Sequence, residues 1–257
     1  MLLVCDIGNS NIVFGLYDGE ELRASWRLTS RLNATVDEYH VMMGGLLARF
    51  ERPRPITAAV ISSVVPPLTP KIEQVIHELA GVTALLVGPG LRTGLDIQLD
   101  DPREVGADRI VNCIGALSRH TPPLIIADFG TATTLDVVLK PNVYLGGVIL
   151  PGALISLDAL VSRTAKLPKV ELRDTERVVG RNTVDAIRSG MYWGTGAMID
   201  GLIDAICEEL NIEPTVVATG GLAQLIRGAS SRIDHVEADL TLWGLREVQL
   251  RNRPGVS

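Results

Sequence analysis

Lysine is scarce in this chain of 257 residues: only Lys71, Lys140, Lys166 and Lys169 occur. A phosphate site here cannot rest on a lysine cluster. The formal net charge of -6 leaves no surplus of cations to displace counterions, which argues against nucleic acid as a partner. Cysteine is also sparse. Cys5, Cys113 and Cys207 are odd in number, widely spaced and set in apolar runs, so they read as core thiols rather than a disulfide frame or metal set. The four histidines form no H-x-x-H or H-x-E pair, and zinc is not supported. Nothing approaches the roughly 18 unbroken apolar residues of a membrane span. A basic leader segment is missing too, and Asp6 interrupts the first apolar run, so the expected location is the cytoplasm. The familiar nucleotide motifs are absent as well: there is no G-x-x-x-x-G-K-[ST], and no G-x-G-x-x-G stands between a strand and a helix.

What is there is a repeat. Leu2–Cys5 is a short buried-strand pattern that runs into Asp6-Ile7-Gly8-Asn9-Ser10-Asn11. A second strand pattern spans Ile12–Tyr17, Asp18-Gly19 signals a hairpin, and a third strand alternates polar and apolar residues over Glu21–Leu28. The design returns at Leu124–Ala127, which runs into Asp128-Phe129-Gly130-Thr131-Ala132-Thr133 and then another hairpin, so Asp6 recurs as Asp128, 122 residues on. Thr35-Val36-Asp37-Glu38 is a capping box that predicts a helix to about Phe50, followed by a strand ending at Ser62-Ser63. In the second half a helical pattern from Thr183 to Leu210 precedes a strand ending at Thr219-Gly220-Gly221. A helix is predicted from Asp101-Pro102-Arg103-Glu104 to about Leu117, before Pro122-Pro123. The expectation is two similar α/β domains, residues 1–118 and 119–250, with a cleft between them and a flexible tail at 251–257.

Two opposed Asp-x-Gly hairpins supply a phosphate device without lysine. Gly8 and Gly130 expose backbone amides. Asn9, Ser10, Asn11, Thr131 and Thr133 add neutral donors, while Asp6 and Asp128 offer oxygens to cations. The glycines of Thr219-Gly220-Gly221 make a simple strand-to-helix turn when taken in isolation, but their place after the second half's strand favours letting a flat ring approach the backbone, as an adenosine pocket needs. Gly106, placed inside the predicted helix, costs about 1 kcal/mol relative to alanine and suggests that a ligand passes close by. Beside it, Asp108 is suited to accept a proton and Arg109 to grip a carboxylate, although an exposed Asp-Arg neighbour pair is the favoured reading of those residues alone. The glycines of Gly146-Gly147-Val148-Ile149-Leu150-Pro151-Gly152 leave open whether they clear space for substrate or only permit close strand packing.

Asp-Ile-Gly-Asn-Ser, Glu-Val-Gly-Ala-Asp-Arg, Asp-Phe-Gly-Thr-Ala-Thr, Gly-Gly-Val-Ile-Leu-Pro-Gly, Gly-Arg-Asn-Thr and Thr-Gly-Gly follow one another in the order seen in type III pantothenate kinases, so nearly the whole chain resembles that family. The resemblance implies two duplicated ribonuclease H-like domains with mixed sheets, the fold of actin, and ATP-dependent phosphorylation of pantothenate at the start of coenzyme A synthesis. It further implies that Asp6, Ile7, Gly8, Asn9, Ser10, Asn11, Ile12 and Val13 form the ATP-phosphate loop, with Thr131 contacting phosphate. Thr219, Gly220 and Gly221 would bind adenosine. Gly106, Ala107, Asp108 and Arg109 would bind pantothenate, with Asp108 as proton acceptor. Asp128 would hold potassium or ammonium, ATP would arrive with Mg2+, and Thr183 would reach the partner's site in a homodimer. Many members carry tyrosine at a further substrate contact, seven residues before Gly106, where this chain has Leu99. Two rival readings are another small-molecule kinase of the same fold and a non-catalytic regulator. A regulator would be expected to lose Asp108 or the phosphate loops, and these are intact.

Overall fold

A computed structural model describes residues 1–50, 54–164 and 167–253. In chain order the elements are β1 (Leu2–Ile7), β2 (Asn11–Asp18), β3 (Glu21–Thr29), α1 (Val36–Ala48), β4 (Ala58–Ser63), α2 (Thr69–Ala80), β5 (Ala84–Leu86) and β6 (Asp96–Ile97). A 3-10 turn at Pro102–Glu104 precedes α3 (Ala107–Leu117). There follow β7 (Leu124–Phe129), β8 (Ala132–Leu139), β9 (Val143–Pro151), α4 (Ala153–Ser162), α5 (Thr183–Leu210), β10 (Thr215–Thr219), α6 (Ala223–Arg227), β11 (His235–Val236) and α7 (Leu240–Arg251).

The expected repeat is present in the topology. One sheet has the order β3-β2-β1-β4-β5 and the other β11-β10-β7-β8-β9-β6, so β9-β8-β7-β10-β11 reproduces the first order strand for strand. In each, an antiparallel meander is extended by parallel strands on the far side of its first strand. β1 and β7 share one burial pattern: each is buried throughout except for its fifth residue, Asp6 or Asp128, which is half-buried. A carboxylate at that position interrupts a strand that is otherwise core on both faces.

The chain forms two compact units. The first comprises Met1–Gly94, Asp101–Ser118 and the chain from Leu240 onward; the second comprises Leu95–Asp100 and Arg119–Asp239. Residues 240–250, which the sequence reading placed in 119–250, therefore lie with the first unit, because α7 packs on α3, β1 and β4. Glycine makes that packing close. A Cβ on Gly244 would fall 2.0 Å from the Val111 carbonyl oxygen, and one on Gly115 would fall 2.5 Å from that of Leu240. The two helix backbones touch, and no larger residue fits at the crossing. The tail expected at 251–257 also begins docked. Arg251 ends α7 and its guanidinium donates to the Thr93 carbonyl, while the Asn252 amide brackets Arg92 with bonds of 2.9 and 3.0 Å. Residues 254–257 lie outside the described residues.

In the first unit, α1 and α2 cover one sheet face through Tyr39, Met43, Leu47, Ile72, Val75 and Ile76, packed on Leu3, Cys5, Ile7 and Ile61. The predicted capping box at the start of α1 is formed: Glu38 N–H donates to Thr35 Oγ1 at 3.2 Å, and Thr35 N–H donates to Glu38 at 2.7 Å. In the second unit, α5 and α6 cover the corresponding face through Ile199, Ile203 and Ile226. Cys5 and Cys113 are buried free thiols, and Cys207 is half-buried, its sulfur accepting from Arg232 at 3.2 Å. Burial, and after it the charge of Asp6, pushes the Cys5 thiol up, so it is an inert packing group.

Candidate active site

In the first unit β1 and β2 are joined by a tight turn in which Gly8 N–H donates to the Asn11 carbonyl at 2.9 Å. A Cβ on Gly8 would lie 3.1 Å from that oxygen, so the turn closes most easily on glycine. Ser30 braces it from outside: its amide donates to Ser10 O at 3.0 Å and its hydroxyl to Gly8 O at 2.5 Å. Asn9 and Ser10 are exposed at the tip, whereas Ile7 and Ile12 are fully buried. Those two isoleucines can offer a ligand only backbone groups.

The turn is tied to β4 and, through it, to the start of α3. Val64, just past β4, donates its N–H to the Ile7 carbonyl at 3.0 Å, and its side chain lies 3.7 Å from the position of a Gly106 Cβ. The Asp6–Asn11 turn and the Gly106–Arg109 stretch are therefore neighbours of one short segment of the first unit.

Here the structure corrects the sequence reading. Gly106 is not inside a helix: the 3-10 turn ends at Glu104, and Gly106 is the N-cap of α3 with φ −60° and ψ 139°. The cost of a mid-helix glycine does not apply. What requires glycine is Asp108, whose Oδ1 lies 2.5 Å from where a Gly106 Cβ would stand. That carboxylate folds back over the helix start and accepts the Arg109 N–H at 2.8 Å. Asp108 is the acidic residue in the first turn of α3, where the helix dipole suits a carboxylate. Ala107, Asp108 and Arg109 are all half-buried, which disposes of the reading as an exposed ion pair.

The second unit gathers its own set. Thr219 and Asp128 are register partners in the parallel β10–β7 ladder. Gly220 follows with φ +90°, and a Cβ there would meet Asp128 Oδ1 at 2.5 Å and the Phe129 backbone at 2.7 Å. Gly152, which caps α4, comes as close to the carbonyls of Thr131 and Gly130. Asp128, Gly130, Thr131 and Gly220 thus belong to one glycine-walled constellation, with Thr131 and Gly221 exposed. Thr133 is not part of it: at 1% exposure it faces the core as the register partner of Phe129, so its expected role as a turn donor fails. Asp136, unremarked in the sequence, is fully buried and accepts from Tyr144 Oη at 2.7 Å and Thr134 Oγ1 at 3.3 Å. Leu99 packs over Gly146, a Cβ there (φ +118°) falling 3.2 Å from its Cδ2. Thr183, the first residue of α5, lines an open groove of about 650 Å³ with Leu160, Leu167, Arg181, Ile187 and Met191.

Among the described residues no group of three His, Cys, Asp or Glu side chains is placed to hold a metal ion. An ion beside Asp6 or Asp128 needs most of its oxygens from ligand, water or backbone. That fits a cation shared with bound polyphosphate and water better than a metal held by protein side chains alone.

Solved structures with this fold include the activator of 2-hydroxyisocaproyl-CoA dehydratase from Clostridium difficile with bound ADPNP. It is 13% identical with a TM-score of 0.56, and the match covers 97% of this chain and 92% of that one. A ROK family glucokinase from Streptomyces griseus, in complex with glucose and AMPPNP, matches at 11% identity and a TM-score of 0.51 over 97% and 98% of the two chains. At such identities the likeness shows the fold alone: an actin-like ATPase and sugar-kinase architecture of two ribonuclease H-like domains. The family model for type III pantothenate kinase matches residues 2–205. Type III pantothenate kinases from Brevibacillus brevis and Exiguobacterium sp. are 47% and 45% identical, each over 98% of this chain and 100% of theirs. The chain belongs to the type III pantothenate kinase family, and it is a kinase that uses ATP with a divalent metal.

Proposed function

We propose that this chain phosphorylates pantothenate with ATP, making 4'-phosphopantothenate at the first step of coenzyme A synthesis, with Asp108 as the proton acceptor. The observation that carries the residue assignment is the glycine-cleared carboxylate at the N-terminus of α3. In the reaction the primary hydroxyl of pantothenate attacks the γ-phosphorus in line, and the bond from that phosphorus to the ADP oxygen breaks. The hydroxyl proton passes to the Asp108 carboxylate. Because such transition states are loose, positioning and charge neutralisation carry most of the catalysis, and the magnesium bound to ATP supplies part of that neutralisation.

The turn Asp6–Val13 holds the phosphates through its backbone amides and the polar tip Asn9-Ser10, and Thr131 adds a contact from the second hairpin. Thr219–Gly221 receives adenosine, with left-handed Gly220 seated against Asp128 and the Phe129 backbone and Gly221 exposed. Arg109 pairs with the pantothenate carboxylate, and Leu99 offers an apolar wall to the dimethyl group. Asp128 holds a monovalent cation, potassium or ammonium. The working unit is a homodimer in which Thr183 reaches the partner's pantothenate site. Supporting this, Leu154, Ile155 and Leu160 on α4, Val178 and Val179 before α5, and Met198 on α5 are between 40% and 79% exposed, apolar side chains that a second copy could cover. No helix among the described residues is long and apolar enough to cross a membrane, and the proposed location is the cytoplasm.

The test is Asp108→Asn, which keeps the size of the side chain and removes the base. It should fold normally and lose about 10²–10⁴ in turnover at saturating pantothenate and ATP. Unchanged turnover would remove Asp108 from the mechanism.

A further inference from the structure

Ser62, the fifth residue of β4, is 0% exposed, and its hydroxyl has no hydrogen-bond partner. The neighbouring Ser63 is conventional: its Oγ accepts from Thr69 Oγ1 at 2.7 Å and from Val65 N–H at 3.2 Å, bracing the entry to α2. Ser62 has no such duty. Ala59, Val60 and Ile61 before it are all buried and apolar, and alanine or valine would suit its place better unless the hydroxyl gains a partner in another state of the protein.

Its position identifies that partner. Ser62 is the register partner of Asp6 in the parallel β1–β4 ladder. In-register residues of adjacent strands point to the same face about 4.8 Å apart, within reach of a hydrogen bond after one side-chain rotation. Both stand near the carboxyl ends of parallel strands, where open α/β sheets receive their ligands. The second unit repeats the pair: Thr219, 1% exposed, is the register partner of Asp128 on the equivalent parallel strand. A buried hydroxyl beside the strand-end carboxylate is thus present in both halves of the duplicated fold.

Resting on the assignment of the Asp6–Val13 turn to the phosphates of ATP, we propose that Ser62 is a positioning residue for magnesium-bound ATP. Its hydroxyl donates to the Asp6 carboxylate when that group turns toward the magnesium ion that accompanies the nucleotide, fixing which carboxylate oxygen faces the ion. The free protein carries the hydroxyl unpaired; the nucleotide complex pairs it.

The experiment is Ser62→Ala in the full chain, with two readouts: calorimetric titration with ATP, with and without magnesium, and thermal melting without nucleotide. Removing an unpaired buried hydroxyl should leave the melting temperature of the free protein unchanged or raised. Affinity for ATP with magnesium should fall about tenfold, the usual effect of losing a hydrogen bond to a charged group, while affinity for metal-free ATP stays as in the wild type. Wild-type affinity for magnesium-ATP in the variant would overturn the proposal. So would a lower melting temperature or failure to fold, which would make Ser62 a structural residue. Wild-type protein that binds no ATP under either condition would overturn the phosphate assignment itself, and the role of Ser62 with it.

Discussion

Gly106→Ala separates the position of Asp108 from its chemistry. At φ −60° and ψ 139° the backbone of Gly106 accepts any L-residue, so the substitution introduces no backbone strain. The new Cβ would stand 2.5 Å from Asp108 Oδ1, where an ordinary contact begins near 3.4 Å, so the carboxylate must retreat by roughly 1 Å. Moving a carboxylate oxygen at the end of a side chain costs little, and alanine for glycine at an N-cap costs under about 1 kcal/mol. The melting temperature should therefore move by only a few degrees. The retreat, however, pulls Oδ1 from its 2.8 Å bond with Arg109 N–H and away from the proton it is to accept. A misplacement of about 1 Å is worth about 10² in rate, so turnover should fall about a hundredfold with magnesium-ATP affinity unchanged. The assay is steady-state turnover in a coupled system, beside calorimetric ATP binding and a thermal melt. Two results would refute the reasoning. Wild-type turnover would mean that the carboxylate position is irrelevant. A variant more stable by about 1 kcal/mol would mean that residue 106 lies in a helix interior after all.

Asp128→Ala should abolish activation by potassium or ammonium, which in the wild type should restore the turnover lost in sodium-only buffer; full wild-type activity in sodium would contradict a cation role for Asp128. For the shared site, an Asp108→Asn chain and a Thr183→Arg chain, each inactive alone, are mixed and allowed to exchange subunits. One site of each mixed dimer then carries both lesions and the other neither, so about half of its sites should regain activity. No rescue in verified heterodimers, or an active monomer by light scattering, would end the shared-site reading.

Much of this was legible along the chain because it depends on neighbours in sequence. Both meanders, the Thr35–Glu38 capping box, and the 28-residue α5 follow from alternation, turn chemistry and helical period, which act over two to four residues. Recurrence of the Asp-x-Gly hairpin was enough to expect two like sheets, and both have the same strand order. The break before α3 was not legible. Asp101-Pro102-Arg103-Glu104 carries every start signal of a long helix, yet its first turn is a separate 3-10 turn, and the real start is set by Gly106 giving room to Asp108. Tertiary structure alone decided the rest. Chain from residue 240 onward returns to the first unit because Gly244 and Gly115 let two helix backbones touch, a fit between residues more than 100 positions apart. Thr133 turned inward because the register of β7 on β8 pairs it with Phe129. Ser62 acquired a meaning only from lying beside Asp6. Short-range signals name the residues a strand end offers, but pairing between distant strands selects which of them meet, since register is a property of two segments and is written in neither one.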